Sequence, residues 1–251
     1  MPADLSSSLL LFVAIGFAAQ MVDGAIGMAY GVTATSTLMG FGVPPAVASA
    51  SVHAAEVFTT AASGASHWRM GNVDHKLLWR LALPGMIGGA VGAYVLVSVP
   101  GESIRPLVSA YLLVMGGVIL WRACHPEQRE HTEVKRPGLL GLTGGFLDAA
   151  GGGGWGAMVT TTLIGHGASP RLAIGSANAA EFFVTTTVTA TFIATVGLSL
   201  WPVIMGLVLG GVLAAPLAAY ATRHLPERPV MLLVGVVVIA LSLRGLWQSM
   251  T

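Results

Sequence analysis

The chain has 251 residues, of which 54% are hydrophobic and 9% charged, and its formal net charge is +1. Soluble domains average roughly 25% charged residues, so the composition excludes an ordinary soluble fold and points to an integral membrane protein. The near-neutral balance names no ligand and gives no reason to expect nucleic-acid binding, and the single cysteine, Cys124, rules out an intramolecular disulfide.

Residues 1–8 lack the basic segment of a cleavable signal, so the first apolar run reads as part of the mature chain. Apolar stretches fall at 5–40, 46–66, 77–99, 104–122, 138–165, 170–195, 201–222 and 230–249. Most exceed the roughly 17–20 residues that carry a helix through about 30 Å of hydrocarbon. None alternates in character as a transmembrane strand would. The expected fold is therefore an all-α integral membrane protein.

The first stretch breaks the pattern. A helix over 5–40 covers about 54 Å, short of the roughly 60 Å that two full spans need. It holds Asp23, Gly24, Gly27 and Gly31. A broken, hairpin-like element is expected, turning near Asp23–Gly27. The second stretch carries His53 and Glu56 on one helix face. The third carries Gly85, Gly88, Gly89 and Gly92, small residues that suit either helix packing within one protomer or a homodimer contact.

A polar segment from Arg122 to Pro137 divides the chain. Beyond it the first half repeats without a gap. Asp23 matches Asp148, Gly27 matches Gly152, Gly31 matches Gly156, Thr35 matches Thr160, Ser51 matches Ser176, His53 matches Asn178 and Glu56 matches Glu181. The run Gly151, Gly152, Gly153, Gly154 weakens a helix by about 1 kcal/mol per residue relative to Ala, so the second broken element should turn there. Residues 1–122 and 138–251 are read as two repeats, with 123–137 as a linker.

Basic residues orient the repeats. Arg69, Lys76 and Arg80 flank one loop, Arg122, Arg129, Lys135 and Arg136 crowd the linker, and Arg223 and Arg228 flank a third loop. All three loops should face the cytoplasm. The counterpart of the Arg69–Arg80 loop is Thr195–Trp201, which carries no charge and reads as external. Equivalent loops on opposite sides make the repeats inverted. Each half then needs about three full crossings beside its broken element, and both termini should be external.

Four carboxyls lie in apolar segments, where an Asp costs about 2.5–3.5 kcal/mol on insertion scales. Asp23, His53, Glu56, Asp148 and Glu181 are the candidates for proton or ion coupling. Gly24, Gly27, Gly31, Thr35, Ser51, Gly151, Gly152, Gly153, Gly154, Thr160, Ser176 and Asn178 are the candidates for substrate contact, because half-helix N-termini and hydroxyls suit an anion. A second reading stays open for the two Asp residues, as caps for helix ends at the breaks. Another stays open for the glycines, as close-packing positions. Tyr30 and Trp155, at equivalent positions, could wall a cavity or fill the interior. No His pair has metal-ligand spacing, and no phosphate loop, nucleotide fingerprint or nucleophile–base set appears. No cofactor and no enzymatic activity are expected.

The segments GAIGMAYG, SVHAAEVFTT, SGASHWRMGNVD, GGFLDAAGGGGWG and GSANAAEFFVT resemble the sulfite exporter TauE/SafE family, over nearly the whole chain. The resemblance implies an inverted-repeat permease of the cytoplasmic membrane that moves small sulfur-containing anions or organosulfonates, driven by an ion gradient. Its glycine-rich hairpins correspond to Gly24, Gly27 and Gly31, and to Gly151 through Gly154 with Gly156. Its cytoplasmic loop motif corresponds to Gly71–Asp74. Many relatives have Thr-Ser where this chain reads Ala50-Ser51 and Gly175-Ser176, and they lack the Ala-Ala-Glu motif. Ionised acids would repel an anion, so they are assigned to coupling before cargo. Two other readings remain: a cation permease using the carboxyls as ligands, and a non-transporting membrane subunit whose acids lock helices together.

Overall fold

The computed structural model describes residues 9–125, 134–221 and 227–250, so residues 1–8 and the basic positions Arg129, His131, Arg223 and His224 lie outside it. The described residues form helices and short connections. In chain order these are α1 (Leu9–Ile26), α2 (Tyr30–Gly40), α3 (Pro45–Arg69), α4 (His75–Ser98), α5 (Gly101–Cys124), α6 (Pro137–Gly151), a π-helical turn (Gly156–Thr160) running into α7 (Thr161–Gly165), α8 (Pro170–Thr195), α9 (Trp201–Ala221) and α10 (Glu227–Met250). Each apolar stretch of the sequence is a helix, and the two expected to be broken are broken.

Local chemistry sets several boundaries. Pro45, Pro137 and Pro170 open α3, α6 and α8, where the missing N–H costs nothing. Asp74 caps α4, its Oδ1 accepting from the Lys76 and Leu77 N–H groups at 2.8 and 3.1 Å. Gly152, at φ 78°, ends α6 in the left-handed conformation.

Three helices, α4, α5 and the Trp201–Ala218 part of α9, are long and apolar enough to cross a membrane by themselves. Helices α3 and α8 are also long, at 25 and 26 residues. Their Ser, Thr, His, Asn and Glu content lowers their hydropathy because they carry the polar centre. Large apolar side chains such as Leu83, Ile87 and Tyr94 of α4 and Leu213 and Leu217 of α9 point outward, as a lipid-facing surface requires.

The halves interlock. Helix α1 lies along α9 in the same direction, with Phe12 against Gly206, Phe17 against Gly210 and Gly24 against Ala218. Helix α4 lies along α6 in the same way, with Leu81 against Gly141, Gly85 against Gly145 and Phe146 against Gly92. Each glycine lets a neighbouring backbone approach within the reach of a missing Cβ. Gly85, Gly88, Gly89 and Gly92 all pack inside the protomer, on α6, α8 and Trp155. That stripe is therefore internal packing, not a free dimer face.

Helix α3 meets α8 in the opposite direction, Gly64 lying on Ala179 and His53 facing Phe192. Helix α5 meets α10 likewise, with Gly116 by Val238 and Leu120 by Gly235. Exchanging the halves maps these pairings onto one another.

Candidate functional site

The two helix breaks cross at the centre. After α1, residues Gly27, Met28 and Ala29 leave the helix, with Gly27 at φ 76° and Ala29 at φ 92°. After α6, Gly152, Gly153 and Gly154 do the same at φ 78°, 137° and 134°. Ala29 is the sole non-glycine residue among those described with positive φ, a strained position for an L side chain. A Cβ on Gly31 would lie 2.7 Å from the Gly153 Cα, and one on Gly156 would lie 2.7 Å from the Met28 Cα. Gly152 abuts Thr35, and Gly27 abuts Thr160. These contacts come in matched pairs under exchange of the halves. The Thr35 hydroxyl donates to the Gly152 carbonyl, tying the first element's second arm to the second turn.

Both Asp residues bridge their own break. The Trp155 N–H donates to Asp148 Oδ1 at 2.8 Å, and the Tyr30 N–H donates to Asp23 Oδ1 at a longer 3.4 Å. Each carboxylate thus caps the arm that follows its glycines, seven residues on. The capping reading is realised at both positions.

Asp148 does more. Its Oδ2 lies 3.1 Å from His53 Nε2 on α3, and the same nitrogen is 4.0 Å from Glu56 Oε2. His53 Nδ1 sits 2.8 Å from the Ser49 carbonyl and 3.2 Å from the Ser49 hydroxyl. That hydroxyl in turn donates to the Ala149 carbonyl at 3.0 Å. His53, Asp148 and Glu56 are 0, 1 and 2% exposed, so bulk water reaches none of them. Glu181 is also buried, and it lies close enough to Asp23, Glu56 and Asp148 to feel their charge. His53 touches Asp148 and comes within 4.0 Å of Glu56, while Asp23 and Glu181 lie within electrostatic reach of them, so acids of both halves face one region.

The centre holds polar atoms without partners. Glu56 Oε2, Asn178 Oδ1, Thr160 Oγ1 and the Tyr111 hydroxyl are buried and make no hydrogen bond. Buried polar groups are paired in about 90% of cases, so these four, on α3, α5, α8 and the second break, leave hydrogen-bonding capacity unused in the interior. Asn178 Nδ2 donates to the Ile174 carbonyl of its own helix, leaving the oxygen as the free end.

Other predicted residues make packing or backbone contacts. Gly24 lies within α1 and packs on Ala218 of α9. Ser51 bonds the Val47 carbonyl of its own helix at 2.7 Å. Ser176 accepts from the Asp74 N–H at 2.9 Å and so fastens the α3–α4 loop to α8. Gly151 lies under the Tyr111 ring. Trp155 is fully buried, with its indole N–H donating to the Ala177 carbonyl at 3.1 Å, so it fills the interior. Sequence reasoning passed over Ser49, Tyr111 and the reach of Arg122, whose guanidinium donates to Thr161 Oγ1 at 3.0 Å beside the second break. A cavity of about 480 Å³ opens elsewhere, between Lys76, Arg80, His166 and Ser169, and none of the predicted site residues lines it. Among the described residues no three His, Cys, Asp or Glu side chains are arranged to hold a metal ion, and the cation reading draws no support from them.

Interlocked helices with an apolar exterior, two crossing breaks and a water-excluded polar centre define a multi-pass membrane protein. The family model for the sulfite exporter TauE/SafE matches residues 12–245. The chain belongs to the sulfite exporter TauE/SafE family. It is similar to the probable membrane transporter protein YtnM of Bacillus subtilis (strain 168), with 42% identity over 247 residues covering 95% of this chain and 82% of that protein. No solved structure matches it.

Proposed function

We propose that the chain is a secondary transporter that moves a small sulfur-containing oxyanion, such as sulfite or an organosulfonate, across the cytoplasmic membrane with proton or ion coupling. The observation that carries this reading is the meeting of two glycine turns in an interior that also buries four carboxyls. Glycine turns and hydroxyls offer neutral donors to the anion. Asp23, Glu56, Asp148, Glu181 and His53 carry the coupling proton or ion, because carboxyls in a dry centre exchange charge with whatever occupies it.

Two inverted halves, 1–122 and 138–251, would alternate access around this point, with the linker cytoplasmic and both termini external. The opposed directions of α3 and α8, and of α5 and α10, support that arrangement. Rocking one interlocked pair, α1 with α9, against the other, α4 with α6, would open the site to either side in turn.

The test is sulfite flux in liposomes under an imposed pH gradient. Wild-type flux should accelerate with the gradient, and Glu56→Gln with Glu181→Gln should abolish that acceleration while leaving sulfite exchange. Absence of sulfite flux, or wild-type flux indifferent to the gradient, overturns the reading.

A further inference from the structure

Tyr111 of α5 belongs to the centre although its helix is otherwise apolar there. Its ring covers Gly151, and its hydroxyl comes so close to Gly154 that no Cβ could stand there. The hydroxyl is buried and unpartnered. The Gly154 N–H, in the same turn, makes no hydrogen bond among the described residues, whereas its neighbours do: Gly153 N–H bonds the Asp148 carbonyl at 2.7 Å, and Trp155 N–H bonds Asp148 Oδ1.

Asp148 does not take these donors. One of its oxygens already takes the Trp155 N–H, and the other faces His53 Nε2. A phenol hydroxyl and a backbone N–H, neither with a partner, thus lie side by side at one turn. Two neutral donors without a local acceptor match an incoming oxygen that carries negative charge. They fit an anion better than a cation, which would need oxygens there and finds a buried hydroxyl with Met115 sulfur behind the glycine.

We propose that the Tyr111 hydroxyl and the Gly154 N–H form a two-donor pocket for one oxygen of the oxyanion cargo, placing that cargo at the second glycine turn and making Tyr111 a specificity-determining residue. The proposal rests on the transport reading above and names the contact that selects within it. The second half's turn receives the cargo, and the first half's turn, with Ala29 in place of Gly154, serves to pack against it.

Tyr111→Phe keeps the ring on Gly151 and removes the hydroxyl alone. Sulfite uptake into liposomes should show an apparent KM raised by about tenfold or more, the usual size for a hydrogen bond to a charged ligand, with the maximal rate preserved. Without sulfite, the variant should unfold at the same temperature as wild type or higher, because a buried orphan has been removed. An unchanged KM means that the hydroxyl holds water only and overturns the proposal. A lower unfolding temperature also overturns it, since the hydroxyl would then be structural. Wild-type protein that moves no sulfite removes the transport reading itself, which is a separate outcome from an unaltered KM in Tyr111→Phe.

Discussion

Gly153→Ala tests whether the crossing of the two breaks holds the molecule together. The backbone there is at φ 137°, and a Cβ would strike the Gly31 carbonyl carbon and the Val32 nitrogen, with the Gly31 Cα 2.7 Å away. Backbone atoms of α2 cannot rotate aside as a side chain would. The conformational cost is about 1–2 kcal/mol. Overpacking adds about 1–3 kcal/mol, so the sum is about 2–5 kcal/mol. For a chain of this size each kcal/mol lowers the midpoint by about 2–4 °C, which predicts a fall of roughly 4–20 °C. Two controls separate the terms. Gly42→Ala, at φ 87° with nothing within 4 Å, should lose the conformational part only. Gly117→Ala, within α5 and with nothing within 4 Å, should gain roughly 0.5–1 kcal/mol. Thermal unfolding of the three purified variants in one detergent gives the comparison. If Gly153→Ala melts with Gly42→Ala, the breaks do not cross as described.

Three further outcomes follow from the same geometry. Ala29→Gly should stabilise by about 1 kcal/mol, because it relieves a left-handed alanine; thermal unfolding reads this directly. His53→Asn or Asp148→Asn alone should cost about 3–5 kcal/mol, since each leaves a buried partner uncompensated, while the double variant should recover part of the loss; a double-mutant cycle on unfolding measures it. Thr35→Val should cost about 1–3 kcal/mol by stranding the buried Gly152 carbonyl, with Ser51→Ala much milder because Ser51 bonds only its own helix; paired unfolding curves decide.

Much of this architecture is legible in the residues. Glycine clusters beside Asp23 and Asp148 locate the two breaks because a helix cannot absorb several glycines and a φ near 130° without ending. The repeat pairs the acids, and the fold buries all four. Three things are not legible. His53 lies one turn from Glu56, which suggests a pair on one helix, yet its short contact is with Asp148, 95 residues away. The α4 glycine stripe suits either an internal or an external partner, and only the packing of α6 decides between them. Tyr111 has no counterpart in the motifs and no polar neighbour in sequence, since its role comes from a missing hydrogen bond. Periodicity reports which face is apolar, not which buried atom lacks a partner.

A structure with selenite, an oxyanion whose selenium marks its own position by anomalous scattering, locates the cargo. One strong peak is expected between the Gly152–Gly154 turn and Tyr111, beside Asp148 and His53, lost in Tyr111→Phe at the same concentration. A peak confined to the basic cavity at Lys76, Arg80 and His166, with nothing at the glycine turns, would contradict this placement.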